Sequence, residues 1–156
     1  MSKSKWLYRW LAYICPIVIF LVISMLYFAP QYQGRAMPMG DQIQYRGAIA
    51  GNERFYEETG EYPQWNGTMF GGMPSYLLDF RIPGRPVRWV MTAPARPIGE
   101  PAALIFTAML CFWLMLLLWG VNPWVGLIAA LAYGFSTYTI LIIGAGHISK
   151  VWAMAY

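Results

Sequence analysis

From Pro101 to Ser149 this chain carries no Asp, Glu, Lys or Arg, and Gly120-Val121-Asn122-Pro123 divides the stretch into two apolar segments. About 20 uncharged apolar residues in a helix match a hydrocarbon core about 30 Å thick, so each segment has the length of a span and the Gly-Pro turn makes them antiparallel neighbours. A third such run occupies residues 11–28. The chain is 58% hydrophobic, 17% aromatic and only 12% charged, with the apolar residues gathered in runs rather than spread periodically. The expected fold class is an all-α membrane protein. Three transmembrane helices, at 10–29, 101–119 and 124–143, would flank a long extracytoplasmic loop over 30–100 that contains short amphipathic helices. Residues 144–156 would begin a further outer or helical segment.

The net charge of +4 does not call for nucleic acid, because Lys3, Lys5 and Arg9 sit just ahead of the first run. The positive-inside rule expects them on the cytoplasmic side, and a loop as long as 30–100 crosses regardless of its own charge. This orientation puts Gly120 to Pro123 inside and His147 outside. A secretory signal would have a shorter apolar core of about 7 to 15 residues and a small-residue cleavage site, which Tyr27-Phe28-Ala29-Pro30 does not offer. Cys15 and Cys111 both fall inside apolar runs and read as packing residues rather than as a disulfide or metal ligands.

Within the loop, Tyr45, Ala48, Ile49, Phe55 and Tyr56 recur at three-to-four spacing, Arg54 and Glu58 form an i,i+4 pair, and Gly60 suits a C-cap. A short amphipathic helix over 41–59 is expected. The Pro, Gly and aromatic content of 62–74 predicts an ordered series of turns. Arg81, Arg85, Arg88 and Arg96 alternate with prolines and Trp89, as in a segment at headgroup level. Past Lys150 the chain stops among apolar residues with no helix-ending signal, and the expectation is the N-terminal portion of a longer protein.

The span order brings Asp41, His147 and Lys150 to one side of the bilayer. Asp41, about a dozen residues past the first span, can serve as a general base toward an acceptor hydroxyl, or as the N-cap of a helix beginning at Gln42. His147 and Lys150, three residues apart beside Gly144 and Gly146, can clamp a phosphate or mark the membrane interface. The loop arginines face the same choice between lipid headgroups and a phosphate carried by a lipid substrate. Trp65, Phe70 and Tyr76 around Gly71-Gly72 can form a platform for a sugar ring or belong to the interfacial aromatic belt. Asn66-Gly67-Thr68 matches a glycosylation pattern too short to carry weight. Gly144-Ala-Gly146-His-Ile-Ser149 mimics a dinucleotide-binding turn, but its third glycine is a serine, the upstream apolar run is far too long for a strand, and no acidic residue follows.

Trp65-Asn66, Met69-Phe70-Gly71-Gly72-Met73-Pro74, Asn122-Pro123-Trp124 and Ala145-Gly146-His147 with Lys150, after a first span and an early Asp41, together make a pattern that resembles the YfhO family of bacterial membrane proteins. The resemblance covers nearly the whole chain. It implies the first part of a GT-C-type glycosyltransferase in the bacterial cytoplasmic membrane, which takes a sugar from a polyprenyl-phosphate carrier and transfers it to an extracytoplasmic acceptor. Asp41 would be the catalytic base. His147, Lys150, Arg81, Arg85, Arg88, Trp65 and Asn66 would bind the substrate, with membrane lipids and the remaining spans of a longer chain as further partners. The chain departs from the Asp-x-Asp form of some GT-C enzymes, since Gln42 and Ile43 follow Asp41; no cofactor is implied and divalent-metal use is left open. The alternative is a non-catalytic multispanning module, a transporter or assembly partner.

Overall fold

A computed structural model describes residues 3–35, 37–78, 89, 92–93 and 96–156, with side chains of the first helix from Trp10 onward. Among the described residues the fold is all-α with one minimal hairpin. Helix α1 spans Lys3–Tyr27, α2 Ala29–Tyr32, α3 Gly40–Thr59, α4 Ala102–Leu118, α5 Pro123–Gly134, α6 Thr137–Ala145 and α7 Ile148–Ala155. Between α3 and α4, strands β1 (Trp65–Asn66) and β2 (Met73–Pro74) pair antiparallel, Trp65 opposite Pro74 and Asn66 opposite Met73, and a 3-10 turn follows at Ser75–Leu77.

The core forms where α4 meets α1, α5 and α7. Helix α1 and Phe28 just after it bury one narrow stripe, Pro16, Phe20, Ser24 and Phe28, spaced four apart as one helical face requires. Its other faces are equally apolar and exposed: Ile14, Val18, Val22 and Leu26 all point away from the rest of the chain. The Ser24 hydroxyl donates back to Phe20 O at 2.5 Å, so the one polar group on the stripe is satisfied within its own helix. Trp113 is the centrepiece of α4. It meets Phe20 edge to face at 6.1 Å, donates Nε1 to Pro123 O at 3.0 Å, and lies against Gly126, where a Cβ would come within 3.1 Å of its ring. At Gly134 a Cβ would collide with Met109, so two glycines on α5 set how closely it approaches α4. Phe112 and Tyr133 stack at 4.4 Å, and Tyr133 donates its hydroxyl to Met154 O at 2.8 Å, tying α5 to α7.

Among the described residues one straight helix, over Trp10–Tyr27, is long and apolar enough to cross a membrane. Helix α4 is equally apolar but shorter. The segment expected as a single span at 124–143 is instead a bent pair: α5 ends at Gly134, and α6 restarts after Ser136 at an angle of 43°. The break is chemically specified, because the Ser136 side chain accepts from Thr139 N and caps the new helix. Helix α5 begins as its sequence suggests, with Pro123 in the first turn and the Asn122 side chain accepting from Trp124 N at 3.0 Å.

The expected loop helix is α3, one residue longer at its start. Gly60 ends it with φ 74, the left-handed cap that favours glycine. The face it buries is narrower than the spacing of its aromatics suggests: Ala48, Ile49 and Asn52 are inside, while Phe55 and Tyr56 remain exposed.

Candidate functional site

Helix α6 ends at Gly146, whose backbone is left-handed (φ 94, ψ 13) and donates its N–H to Ile142 O and Ile143 O. That reversal throws His147 out of the helix. His147 becomes the residue preceding α7, and its Nδ1 lies 2.7 Å from Asp41 Oδ2. Two of the residues that span arithmetic puts on one side of a membrane, more than a hundred positions apart in sequence, are therefore in direct contact. Both side chains are about half exposed, 52% for His147 and 47% for Asp41, so the pair is open to a ligand rather than sealed in the core.

The approach of α3 to this turn depends on Gly146 having no side chain. A Cβ there would stand 3.0 Å from Met39 Cβ, 3.2 Å from Gln42 N and 3.4 Å from Asp41 Cβ. Gln42 Nε2 completes the joint by donating to Gly146 O at 3.0 Å. The alternative role of Asp41 as a helix cap does not hold. The cap position of α3 is Met39, no side-chain cap bond forms, and Asp41 lies in the first turn, where its charge is favoured by the helix dipole but satisfies no backbone N–H. With Oδ2 engaged by His147, Oδ1 is left for a ligand; with Nδ1 engaged by Asp41, the His147 Nε2 is likewise free.

His147 and Lys150 do not share a helical face, since α7 begins only at Ile148. Lys150 turns instead toward α6, its Nζ 5.4 Å from the centre of the Tyr138 ring. Arg81, Arg85 and Arg88 lie outside the described residues. Arg96 stacks its guanidinium on Trp89 at 4.7 Å. Trp65 and Phe70 are exposed on the hairpin and Tyr76 on the 3-10 turn after it, Phe70 with a positive φ of 51 and the Trp65 indole against Gly72, where no side chain would fit.

Asn66 is not available to a substrate as folded. It is 1% exposed, its Nδ2 donates to Ala48 O at 2.8 Å and to Asn52 Oδ1 at 3.0 Å, and its Oδ1 accepts from Thr68 N at 2.8 Å. Asn52 passes the chain on by donating to Ser75 Oγ at 3.1 Å. This buried network fastens the hairpin to the middle of α3 and also removes Asn66 from any glycosylation machinery.

A cleft of about 640 Å³ opens near this joint; Asp41 and His147 do not line it, but their neighbours Gln42 and Ile148 do, together with Gln31, Gly34, Arg35, Glu100 and Pro101 from the segments around α2 and before α4, and Met37, Pro38, Met39, Ile43 and Arg46 from the lead-in to α3 and its first turns. Its wall at α2 is held by Gln31, which donates Nε2 to Ile98 O at 3.1 Å and accepts from Ala102 N at 3.2 Å. Tyr32 donates its hydroxyl to the same Ile98 carbonyl at 2.9 Å, and burial raises its pKa, which keeps the phenol a donor at neutral pH. Arg35, Arg46 and Gln42 were not singled out from sequence. The only signal for them is position: Arg35 follows the first apolar run closely, and Arg46 is four residues beyond Gln42 on α3. Among the described residues no three His, Cys, Asp or Glu side chains converge in a way that could hold a metal ion. No family model, curated protein or solved structure matches this chain.

Proposed function

We propose that this chain supplies the first spans and the outer catalytic loop of a GT-C-like membrane glycosyltransferase of the YfhO type, acting at the outer face of the bacterial cytoplasmic membrane on a sugar carried by a polyprenyl phosphate. The observation that carries the reading is the 2.7 Å contact between Asp41 and His147 near an open cleft. A carboxylate with one oxygen oriented by an imidazole N–H and the other free is suited to remove a proton from an alcohol. In the reaction, Asp41 Oδ1 takes the acceptor hydroxyl proton as the acceptor oxygen bonds to the anomeric carbon. The bond from that carbon to the carrier's phosphate oxygen breaks, and the polyprenyl phosphate leaves with the electron pair. His147 positions the base. Arg81, Arg85, Arg88 and Lys150 would contribute positive charge toward the departing phosphate, and Trp65 an exposed ring for the sugar. The three-span arrangement belongs to the same proposal. It is supported by the uniformly apolar exposed faces of α1 and by the bent pair α5 and α6, together long enough for a second crossing.

The test is Asp41→Asn in the full-length protein. Asn retains an oxygen that accepts from His147 but loses the basic carboxylate, so transfer from a polyprenyl-phosphate sugar should fall by roughly 10² to 10⁴ with folding unchanged. A variant that transfers at the wild-type rate ends the catalytic assignment. In that case the same contact, which pins α3 to the α6–α7 joint, serves a non-catalytic membrane module.

A further inference from the structure

We infer that Arg35 and Arg46 hold the phosphate of an amphiphilic ligand in the cleft near Asp41, with the ligand's hydrocarbon lying on Met37, Met39, Ile43 and Ile148. The two guanidiniums come from different walls, Arg35 from the segment after α2 and Arg46 from the second turn of α3, and both are exposed into solvent. Neither has a carboxylate partner among the described residues. Glu100 is the one acidic residue lining the cleft, so the lining carries a net positive charge and favours an anion. Guanidiniums suit phosphate because their planar donor fork matches its oxygens.

The rest of the wall is apolar and open. Ile43 is 62% exposed although it sits on the first turn of a helix that has other apolar positions to bury. An inorganic phosphate would gain nothing from it, whereas an isoprenyl or acyl chain would remove it from water. The depth of the cleft agrees with such a ligand. It is lined by residues just past the end of α1 and just before the start of α4, where the two apolar helices stop together and where a lipid's head and tail divide. Asp41 and His147 do not line it, but their chain neighbours Gln42 and Ile148 do, so the anion site lies in the same part of the fold as the proposed base. The inference rests on the proposed function for the identity of the phosphate's carrier, but binding can be measured without any transfer.

The experiment is equilibrium binding of farnesyl phosphate to the full-length protein in phosphatidylcholine nanodiscs, with farnesol and inorganic phosphate as competitors. Arg35→Gln with Arg46→Gln should weaken farnesyl phosphate at least about tenfold, the scale of losing a charge-assisted contact. Ile43→Ser should weaken it several-fold, and Glu100→Gln should tighten it. Arg54→Gln, at the far end of α3, should change nothing. All five positions are exposed, so folding is not at stake, and thermal unfolding of each variant verifies that. Inorganic phosphate competing as well as farnesyl phosphate would show a free-anion site and overturn the amphiphile; farnesol competing equally would overturn the role of the arginines; and full affinity in the double variant would overturn the site. Asp41→Asn should bind farnesyl phosphate at least as tightly as the wild type. Loss of transfer with retained binding in that variant, or retained transfer with lost binding in the arginine variant, tells failure of the catalytic reading apart from failure of this one.

Discussion

Gly146→Ala probes the joint on which the candidate site depends. An alanine at φ 94 pays the left-handed penalty of roughly 1–2 kcal/mol. Its Cβ would also stand 3.0 Å from Met39 Cβ and 3.2 Å from Gln42 N, and neither is the tip of a flexible side chain that can swing aside. The first turn of α3 must therefore retreat by a few tenths of an ångström. That retreat weakens the 3.0 Å bond from Gln42 Nε2 to Gly146 O, a further contribution of about 1 kcal/mol. The sum is a loss of about 2–3 kcal/mol, and under the proposed function transfer activity should fall as well, because Asp41 moves away from His147. The assay is thermal unfolding of the purified protein in mild detergent, with Gly144→Ala as the reference. Gly144 is helical, its nearest neighbour would be Met37 Cε at 3.6 Å, and alanine there should be neutral or stabilising. A Gly146→Ala protein as stable as Gly144→Ala would refute the reasoning and mean that α3 does not dock on this turn.

Asn66→Asp should destabilise by about 3 kcal/mol, since it turns two donors into acceptors facing Ala48 O and Asn52 Oδ1; proteolysis rates within residues 60–78 report it, and wild-type resistance would argue against the buried network. In a background free of Cys15 and Cys111, cysteines at Gln64 and Asn122 should be labelled from opposite sides of the membrane, with Gln64 outside. Labelling of both from one side would mean that α4 does not cross, and labelling of Gln64 from the cytoplasm would reverse the topology.

The parts of the fold written in local pattern were legible in the sequence. Gly60 ends α3 as its position suggests, and Asn122-Pro123 opens α5, because caps and turn residues act within a few positions of themselves. Span arithmetic put Asp41 and His147 on one side of an expected bilayer, and the structure has them in contact. Their actual contact needed a long-range fact that periodicity does not contain: the left-handed turn at Gly146 and the space left by its absent side chain. The same limit explains the misses. An unbroken apolar run hid the cap at Ser136 and so the bend between α5 and α6. Lys150 meets Tyr138 across the turn between α6 and α7 rather than sharing a face with His147. Asn66, a polar residue among aromatics, resembles a sugar ligand until Asn52 and Thr68 are seen around it, and partners of that kind come from packing rather than from spacing.

Gln31 closes a circuit. By bonding Ile98 on one side and Ala102 on the other, it makes the chain leave the helical bundle and re-enter it at almost one point, so the whole excursion between is topologically an insert on a finished scaffold. The entropy of closing so long a loop grows only slowly with its length, so the scaffold bears little of the burden of what the insert contains. Such a design eases two demands that usually compete: the packing of the bundle can change with little effect on closure of the excursion, while the excursion, held again where α3 meets Gly146, is shaped for whatever it must recognise.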